Sequence, residues 1–190
     1  MDAFATVDDL AARLNRTFSV EEEAWITTLL EDASTYLRED VIGLQVFPQD
    51  SVTFSAWLDG DDSVVLPQQP VVSVDAVEQD SVALEYTHRD GVLYVDGADT
   101  TAPVDVTFTF GYAVAPEGLK RWTCLLVSQA LVPLELNLGL SVGGLSSVAL
   151  DDFKVAFADG GEGTGMSLSD RNVALIRRQY ATDVHVGGSR

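Results

Sequence analysis

The spacing of the apolar residues changes twice along this 190-residue chain. Between Val52 and Phe110 they recur at every second position, in six short segments rich in Val, Phe, Tyr and Thr. Turn-forming runs of Asp, Gly, Pro and Ser separate these segments, and Asp90-Gly91 is the strongest tight-turn signal. Alternation of this kind is typical of antiparallel sheets with one apolar and one polar face. We therefore predict an antiparallel β insertion at about residues 52–112 in an otherwise helical chain.

Two capped helices are predicted ahead of the β insertion. Thr6-Val-Asp-Asp and Ser19-Val-Glu-Glu each place a hydroxyl three residues before a carboxylate, which is the capping-box pattern. Apolar residues at helical spacing follow both motifs. They predict helices at about 7–15 and 20–41, the second of which ends near Gly43.

Two further helices are predicted beyond it. Pro116 suits the first position of a helix at about 116–132, and Pro133 is expected to end or kink that helix. Apolar spacing predicts a last helix at about 170–181. Alternating residues at 146–157 predict an extended arm or a pair of strands. The predicted fold class is α+β: a small helical bundle with an antiparallel β insertion and an extended arm.

The chain is strongly acidic, with 30 acidic and 11 basic residues and a formal net charge of −19. Residues 1–118 hold 23 of the acids but only four of the bases. Such a surface repels the phosphate backbone, which argues against sequence-specific recognition of nucleic acid. Two interpretations stay open: a solvated surface suited to a high-salt host, or an acidic surface that faces a partner or lines a DNA channel.

Membrane insertion and disulfide bonding are not expected. The apolar runs are well short of the roughly 20 residues that a membrane-spanning helix needs, and the acidic N-terminus lacks the pattern of a signal peptide. The single cysteine, Cys124, cannot form an internal disulfide. It lies in an apolar run, so we expect it to be a small buried hydrophobe.

No motif of the sequence points to catalysis. The string GGEGTGMS at 160–167 approaches a phosphate-binding loop, but Met166 stands where that loop requires lysine. The acidic turn that begins at Asp59 approaches a calcium loop but lacks its glycine and its final glutamate. The two histidines, His88 and His185, have no zinc-site spacing. We therefore expect no enzymatic activity, no cofactor and no metal.

Four stretches, taken in order, form a recognisable pattern. They are ATVDDLAARLNRTFSVEEEAWITTLLEDASTYLRED, the strand VSVDAV, the junction VTFTFGYAVAPEGLKRWTCLLVSQAL and a late helix containing LIRRQY. Together they resemble the head–tail connector, or neck adaptor, proteins of the tailed viruses of bacteria and archaea. In that family a capped helix pair precedes β segments, a strand closing on Gly-Tyr meets a proline-opened helix, and a short arginine-containing helix comes near the end.

The resemblance implies a structural virion protein. Such proteins assemble in the host cytoplasm into a ring of about twelve copies below the portal, at the neck between capsid and tail. The ring extends the channel, through which viral DNA passes without sequence-specific binding, and joins the portal to the next neck or tail protein. Residues 1–190 then form a single connector domain, with a linker, terminal helix and tail at 158–190.

The late helix and the arm are the predicted contact elements. The helix follows a glycine-rich linker and is basic in an acidic chain, so we predict that it docks on the portal through apolar anchors and arginines that pair with carboxylates. The alternative is that it packs on its own core. The predicted portal-docking residues are Arg171, Leu175, Ile176, Arg177, Arg178 and Tyr180. The predicted inter-subunit arm, which can add strands to a neighbour, contains Val148, Leu150, Phe153, Val155 and Phe157.

A second class of function stays open from the sequence alone. The same composition suits a soluble small-ligand-binding or hydrolytic domain of a halophile. Such a domain is expected to be a monomer with a deep pocket of convergent polar groups, whereas a connector is expected to form rings.

Overall fold

The computed structural model describes residues 2–137, 147–150, 153–156 and 166–181, with side chains at 2–131 and 166–181. In chain order the elements are α1 (Val7–Leu14), α2 (Val20–Tyr36), a π-helical turn (Leu37–Ile42), β1 (Asp50–Ala56), β2 (Ser63–Val65), β3 (Val71–Gln79), β4 (Val82–Ala83), β5 (Glu85–Arg89), β6 (Val92–Asp96), β7 (Val104–Phe110), α3 (Glu117–Asn137), β8 (Ser147–Leu150), β9 (Phe153–Ala156) and α4 (Asp170–Tyr180). The fold is α+β with antiparallel sheets, which confirms the predicted class.

Contacts divide the chain into two compact units. The first comprises Ala3–Leu37 and Glu117–Asn172, and the second comprises Asp2, Arg38–Pro116 and Val173–Arg190. The predicted β insertion lies within the second unit. The interpretation of the whole chain as a single connector domain stays a prediction.

Helices α1, α2 and α3 pack on one another in the first unit. Both predicted capping boxes are present, because the hydroxyls of Thr6 and Ser19 accept the N–H groups of Asp9 and Glu22, whose carboxylates accept the N–H groups of the two cap residues. The caps satisfy donors that the first turn of a helix leaves unpaired. Each helix contributes fully buried side chains to this core, among them Leu10, Ile26, Leu30 and Leu119.

Helix α3 departs from the prediction at its C-terminal end. It begins at Glu117, directly after Pro116 as expected, but it passes through Pro133 and ends at Asn137. The helix therefore does not end at Pro133. A proline inside a helix removes one backbone hydrogen bond, at a cost of about 3 kcal/mol, and the turns on either side of it here continue.

Two antiparallel sheets form the second unit. One has the strand order β1-β7-β3-β4 and the other β2-β6-β5. The inward side chains of both sheets belong to one apolar cluster, because alternation puts every second residue of each strand on the same face. Its buried members are Val64, Leu66, Val77, Leu93, Val95, Val104, Val106, Phe108 and Phe110.

The predicted tight turn at Asp90-Gly91 is confirmed. It joins β5 to β6, and both residues have positive φ, 50° at Asp90 and 79° at Gly91. Two consecutive left-handed residues are what a two-residue type I′ hairpin requires, since that backbone matches the twist of the flanking strands.

Strand β7 leads into the Gly-Tyr pair that ends it. The N–H of Gly111 donates to the carbonyl of Pro70 at 2.8 Å, and the N–H of Tyr112 donates to the carbonyl of Val46 at 2.8 Å. Gly111 has φ +88°, and a Cβ at that position would lie 3.0 Å from the carbonyl oxygen of Pro48. A residue with a side chain at this position would therefore adopt a strained backbone conformation and press on the segment at Pro48.

Candidate attachment surface

Helix α4 has a buried face and an exposed face. Ile176 is 0% exposed and Tyr180 is 7% exposed, so these two side chains belong to the core of this chain. Burial is the largest cause of a raised pKa at Tyr180, and the nearby Tyr112 adds to it. Leu175 is 48% exposed and does not share their face. All three are predicted docking anchors, but in this structure only Leu175 is exposed, and Ile176 and Tyr180 pack within their own chain as the alternative prediction has it.

The exposed face of α4 carries a short stripe of three residues. Arg171, Leu175 and Arg178 are all exposed and stand at positions i, i+4 and i+7, which lie on one side of a helix. We call these three residues the α4 stripe. It places an apolar side chain between two guanidinium groups.

Arg177 has a different role from its neighbours. Its Nε donates to the carbonyl of Val41 at 2.7 Å, and its Nη2 donates to the carbonyl of Asp40 at 3.0 Å. These carbonyls belong to the π-helical turn, whose last peptide groups have no partner within the helix. A guanidinium is well suited to this position, because the C-terminal end of a helix carries partial negative charge. Arg177 therefore caps that end.

An open cleft of about 650 Å³ lies beside the Arg177 cap. Both walls belong to the second unit: the end of the π-helical turn from Glu39 to Gly43, and the side of α4. Charged groups of both signs line it, Glu39 and Asp40 on one wall and Arg177 and Arg178 on the other. Arg177 already donates hydrogen bonds to two backbone carbonyls.

Most other basic side chains that the structure describes are engaged within the chain. Lys120 pairs with Glu117 at 3.1 Å, Arg13 pairs with Glu117 at 3.6 Å, and Arg16 pairs with Glu22. Arg38 is 4% exposed, and its Nη2 donates to the carbonyl of Asp2 at 3.0 Å and to the carbonyl of Phe47 at 3.3 Å.

Three arginines differ from these. Among the described residues Arg89, Arg171 and Arg178 form no ion pair and no side-chain hydrogen bond. Two of the three belong to the α4 stripe. The stripe therefore concentrates uncommitted positive charge in a chain whose net charge is −19.

The predicted inter-subunit arm includes a hairpin. Strands β8 and β9 pair antiparallel, with Val148 opposite Val155 and Leu150 opposite Phe153. Of the two predicted forms, an extended arm or a strand pair, the described backbone has the strand pair. Phe157 lies outside the described residues, as does the linker at 158–165.

The calcium-like turn at Asp59 and the histidine His88 both have structural roles in the fold. One oxygen of Asp59 accepts the N–H groups of Asp61 and Ser63, and the other accepts the Ser63 hydroxyl. The N–H of Asp61 is the largest cause of the lowered pKa of Asp59. The calcium-like turn is thus closed by its own carboxylate. His88 accepts the N–H of Gly91 through Nε2 at 3.2 Å, within the hairpin turn.

No cluster of three metal-ligating side chains occurs within the described part of the chain, and none of its helices is long and apolar enough to cross a bilayer. Burial raises the pKa of the Cys124 thiol to about 11, so it carries no thiolate near neutral pH. The loop at 160–165 and His185 lie outside the described residues.

The outward face of the four-stranded sheet is not marked by any motif of the sequence. Its carboxylates are Asp75, Glu78 and Asp105, and hydroxyl side chains surround them. Thr109 and Ser73 donate to Asp75 at 2.8 Å each, and Ser55 donates to Asp105. We call this surface the acidic sheet face. The alternation of polar residues in VDVTFTF carries the signal, but strand order is needed to bring β1, β3 and β7 together.

Comparison of the sequence with known proteins identifies no family for this chain. No protein-family model matches the chain, and no curated protein matches it.

Proposed function

We propose that this chain is a structural virion protein: a head–tail connector that forms a ring below the portal, extends the DNA channel and joins the capsid to the neck or tail. The observation that carries the proposal is the order of the elements. Two capped helices are followed by a β unit, its last strand closes on Gly111-Tyr112, a helix opens after Pro116, and α4 follows late in the chain. This is the order that the resemblance implies.

Gly111 gives this order a physical basis beyond composition. A glycine at the end of a strand is common, but here a side chain would collide with the backbone of the segment at Pro48. Glycine is therefore favoured at position 111, at the end of the β unit. That supports the use of the motif as a family signal.

The distribution of charge agrees with a channel protein. Residues 50–110 contain twelve acidic residues and one basic residue. A wall of this composition repels a passing duplex, so the DNA can move without being held. A dodecameric ring would multiply this effect around the channel. The same composition suits a high-salt host, and the two explanations are compatible.

Two elements are the contact surfaces in this proposal. The β8–β9 hairpin is the inter-subunit arm, with Val148, Leu150, Phe153 and Val155 in its strands. The α4 stripe is an attachment surface for an acidic protein. The predicted portal-docking residues reduce to these three exposed ones, because Ile176 and Tyr180 are buried and Arg177 caps a helix. The acidic surface belongs to the portal or to a neighbouring copy of the chain.

The experiment is an assembly assay with purified full-length protein. Light scattering and negative-stain electron microscopy are performed alone and with purified portal rings of the same virus. The proposal predicts closed rings with a central channel, either free or seated on portal rings. A gel-shift assay with duplex DNA is the control, and it is expected to show no retention at physiological salt. A monomer that neither assembles nor binds portal rings would favour the soluble ligand-binding alternative.

A further inference from the structure

We infer that the α4 stripe of one copy binds the acidic sheet face of a second copy. This inference rests on the proposed function, since it names a contact that holds the ring together. It commits the stripe to a neighbouring copy of this chain in place of the portal.

The stripe carries two positively charged side chains at a fixed separation along the helix. Arg171 and Arg178 are separated by seven residues, which along an α-helix is a rise of about 10 Å. Leu175 lies between them, nearly half exposed. Arginine presents a planar fork of donors that fits carboxylates in pairs, and its long side chain can reach several ångströms beyond the helix.

The acidic sheet face has two negative ends. At one end Glu78 and Asp105 are directly opposite on neighbouring strands, an arrangement of like charges that destabilises a sheet. At the other end Asp75 accepts the hydroxyl of Thr109. Asp75 is three residues from Glu78 on β3, which corresponds to about 10 Å along a strand. The two ends are therefore spaced much as the two arginines are.

The middle of the face suits Leu175. Thr53 and Thr107 are opposite each other and bond through their hydroxyls at 2.8 Å, and Ala76 is opposite Thr107 on the other side. One of the two hydroxyls donates to the other, so the pair has one hydroxyl proton left to donate. The methyl groups of Thr53, Thr107 and Ala76 are the apolar part of the surface between the charged ends.

Charge complementarity selects the occupant. None of the basic side chains that the structure describes forms an ion pair with Asp75, Glu78 or Asp105. A second copy supplies two uncommitted arginines at matching separation. When the stripe of each copy binds the sheet face of the next copy, the contact is heterologous, and repetition of a heterologous contact closes into a ring when the rotation allows it.

The test reverses the charge on each side and then restores the match. One full-length variant carries R171E and R178E, and the other carries D75R, E78R and D105R, so that both ends of the face are reversed. Each alone is expected to weaken self-association by at least about 100-fold, since like charges then face each other. Mixed in equal amounts, they are expected to regain assembly, because every contact in an alternating ring pairs opposite charges. Sedimentation velocity measures all three samples.

Matched controls use the other sheet. R89E and E85R reverse exposed charges on β5 and are expected to leave assembly unchanged. Circular dichroism establishes that each variant is folded. If a reversed variant does not fold, cysteine pairing replaces it: a copy with Leu175→Cys is mixed with a tagged copy with Thr107→Cys, and a disulfide heterodimer is expected. Thr87→Cys, on the outer side of β5, is the control that is expected to give little heterodimer.

The failures of the two proposals are distinguishable. Wild-type protein that never forms rings, with or without portal, would contradict the proposed function and this inference together. Rings that survive both reversals, or cysteine pairing no better than the Thr87 control, would overturn this inference alone. Normal rings of the R171E/R178E variant that no longer bind the portal would also overturn it and assign the stripe to the portal.

Discussion

Replacing Gly111 by alanine is expected to destabilise the protein more than the same change at other glycines. The residue ends β7 with φ +88°, and its N–H donates to the carbonyl of Pro70 at 2.8 Å. A Cβ added there would lie 3.0 Å from the carbonyl oxygen of Pro48 and 3.2 Å from the Cα of Gln49. Both neighbours are backbone atoms, so they cannot rotate away as the end of a side chain can.

The size of the effect follows from three contributions. A left-handed alanine costs roughly 1–2 kcal/mol relative to glycine. Relief of the backbone contact costs a further 1–3 kcal/mol or so, as in overpacked cores. The smaller conformational freedom of alanine in the unfolded chain offsets about 0.4–1 kcal/mol. We expect a net loss of about 2–3 kcal/mol in the free energy of unfolding.

Two other glycines separate these contributions. Gly97 has φ +73°, but a Cβ added to it would meet no atom within 4 Å, so its alanine variant carries the backbone cost alone, and we expect a loss near 1 kcal/mol. Gly60 has neither a positive φ nor a close neighbour, so Gly60→Ala is expected to be nearly neutral. Urea unfolding of the three variants is the assay. A Gly111→Ala variant as stable as Gly97→Ala would refute the steric argument.

Three further changes test other parts of the fold. Thr123→Val is expected to stabilise the first unit by about 1 kcal/mol in thermal unfolding, because the buried Thr123 hydroxyl has no hydrogen-bond partner among the described residues; a loss of stability would show that it has one. Arg177→Met keeps the aliphatic stem but removes the cap, and a loss of about 1 kcal/mol is expected in urea unfolding, with no change contradicting the capping role. The N–H of Ser19 is the largest cause of the lowered pKa of Glu22. This carboxylate therefore stabilises the fold above its ordinary pKa of 4.5, and the contribution is lost as the pH falls through the lower folded pKa. Glu22→Gln is expected to reduce the change in melting temperature between about pH 6 and pH 3, and an unchanged pH dependence would contradict this.

Local features of the fold can be predicted from the sequence. The two capping boxes and the Asp90-Gly91 turn depend on residues three or fewer positions apart, and all are present. The strands are also predictable, because the alternation in β7 places Val104, Val106, Phe108 and Phe110 inside. In each case the signal and the structure it specifies lie in the same short segment.

Features that depend on residues far apart in the chain cannot be predicted from the sequence. The division into two sheets requires β1 to pair with β7, and the paired residues are 48 to 60 positions apart in the chain, from Ala56–Val104 to Asp50–Phe110. The capping role of Arg177 depends on carbonyls 136 and 137 residues away. The burial of Ile176 beside an exposed Leu175 likewise depends on which face of α4 meets the rest of its unit. Sequence spacing alone cannot select that face.

The candidate surfaces divide in the same way. The excess of arginine in α4 is visible in the sequence, whereas the acidic sheet face appears only when Glu78 and Asp105 come together across β3 and β7. Their chain separation is 27 residues, as their numbers show, and nothing between them marks the pairing. The arginines of the stripe can therefore be predicted from the sequence, but which residues of α4 are exposed and where the acidic sheet face lies cannot.

Immunogold electron microscopy of virions tests the central claim most directly. The proposal places the chain in a tailed virus, so an antibody raised against the purified chain is applied to virions of that virus, both intact and with tails detached, so that a covered neck becomes accessible. The connector proposal predicts gold particles at the junction of capsid and tail, and on the portal vertex of tailless capsids. Labelling elsewhere on the particle, or virions without the chain in both preparations, would contradict it.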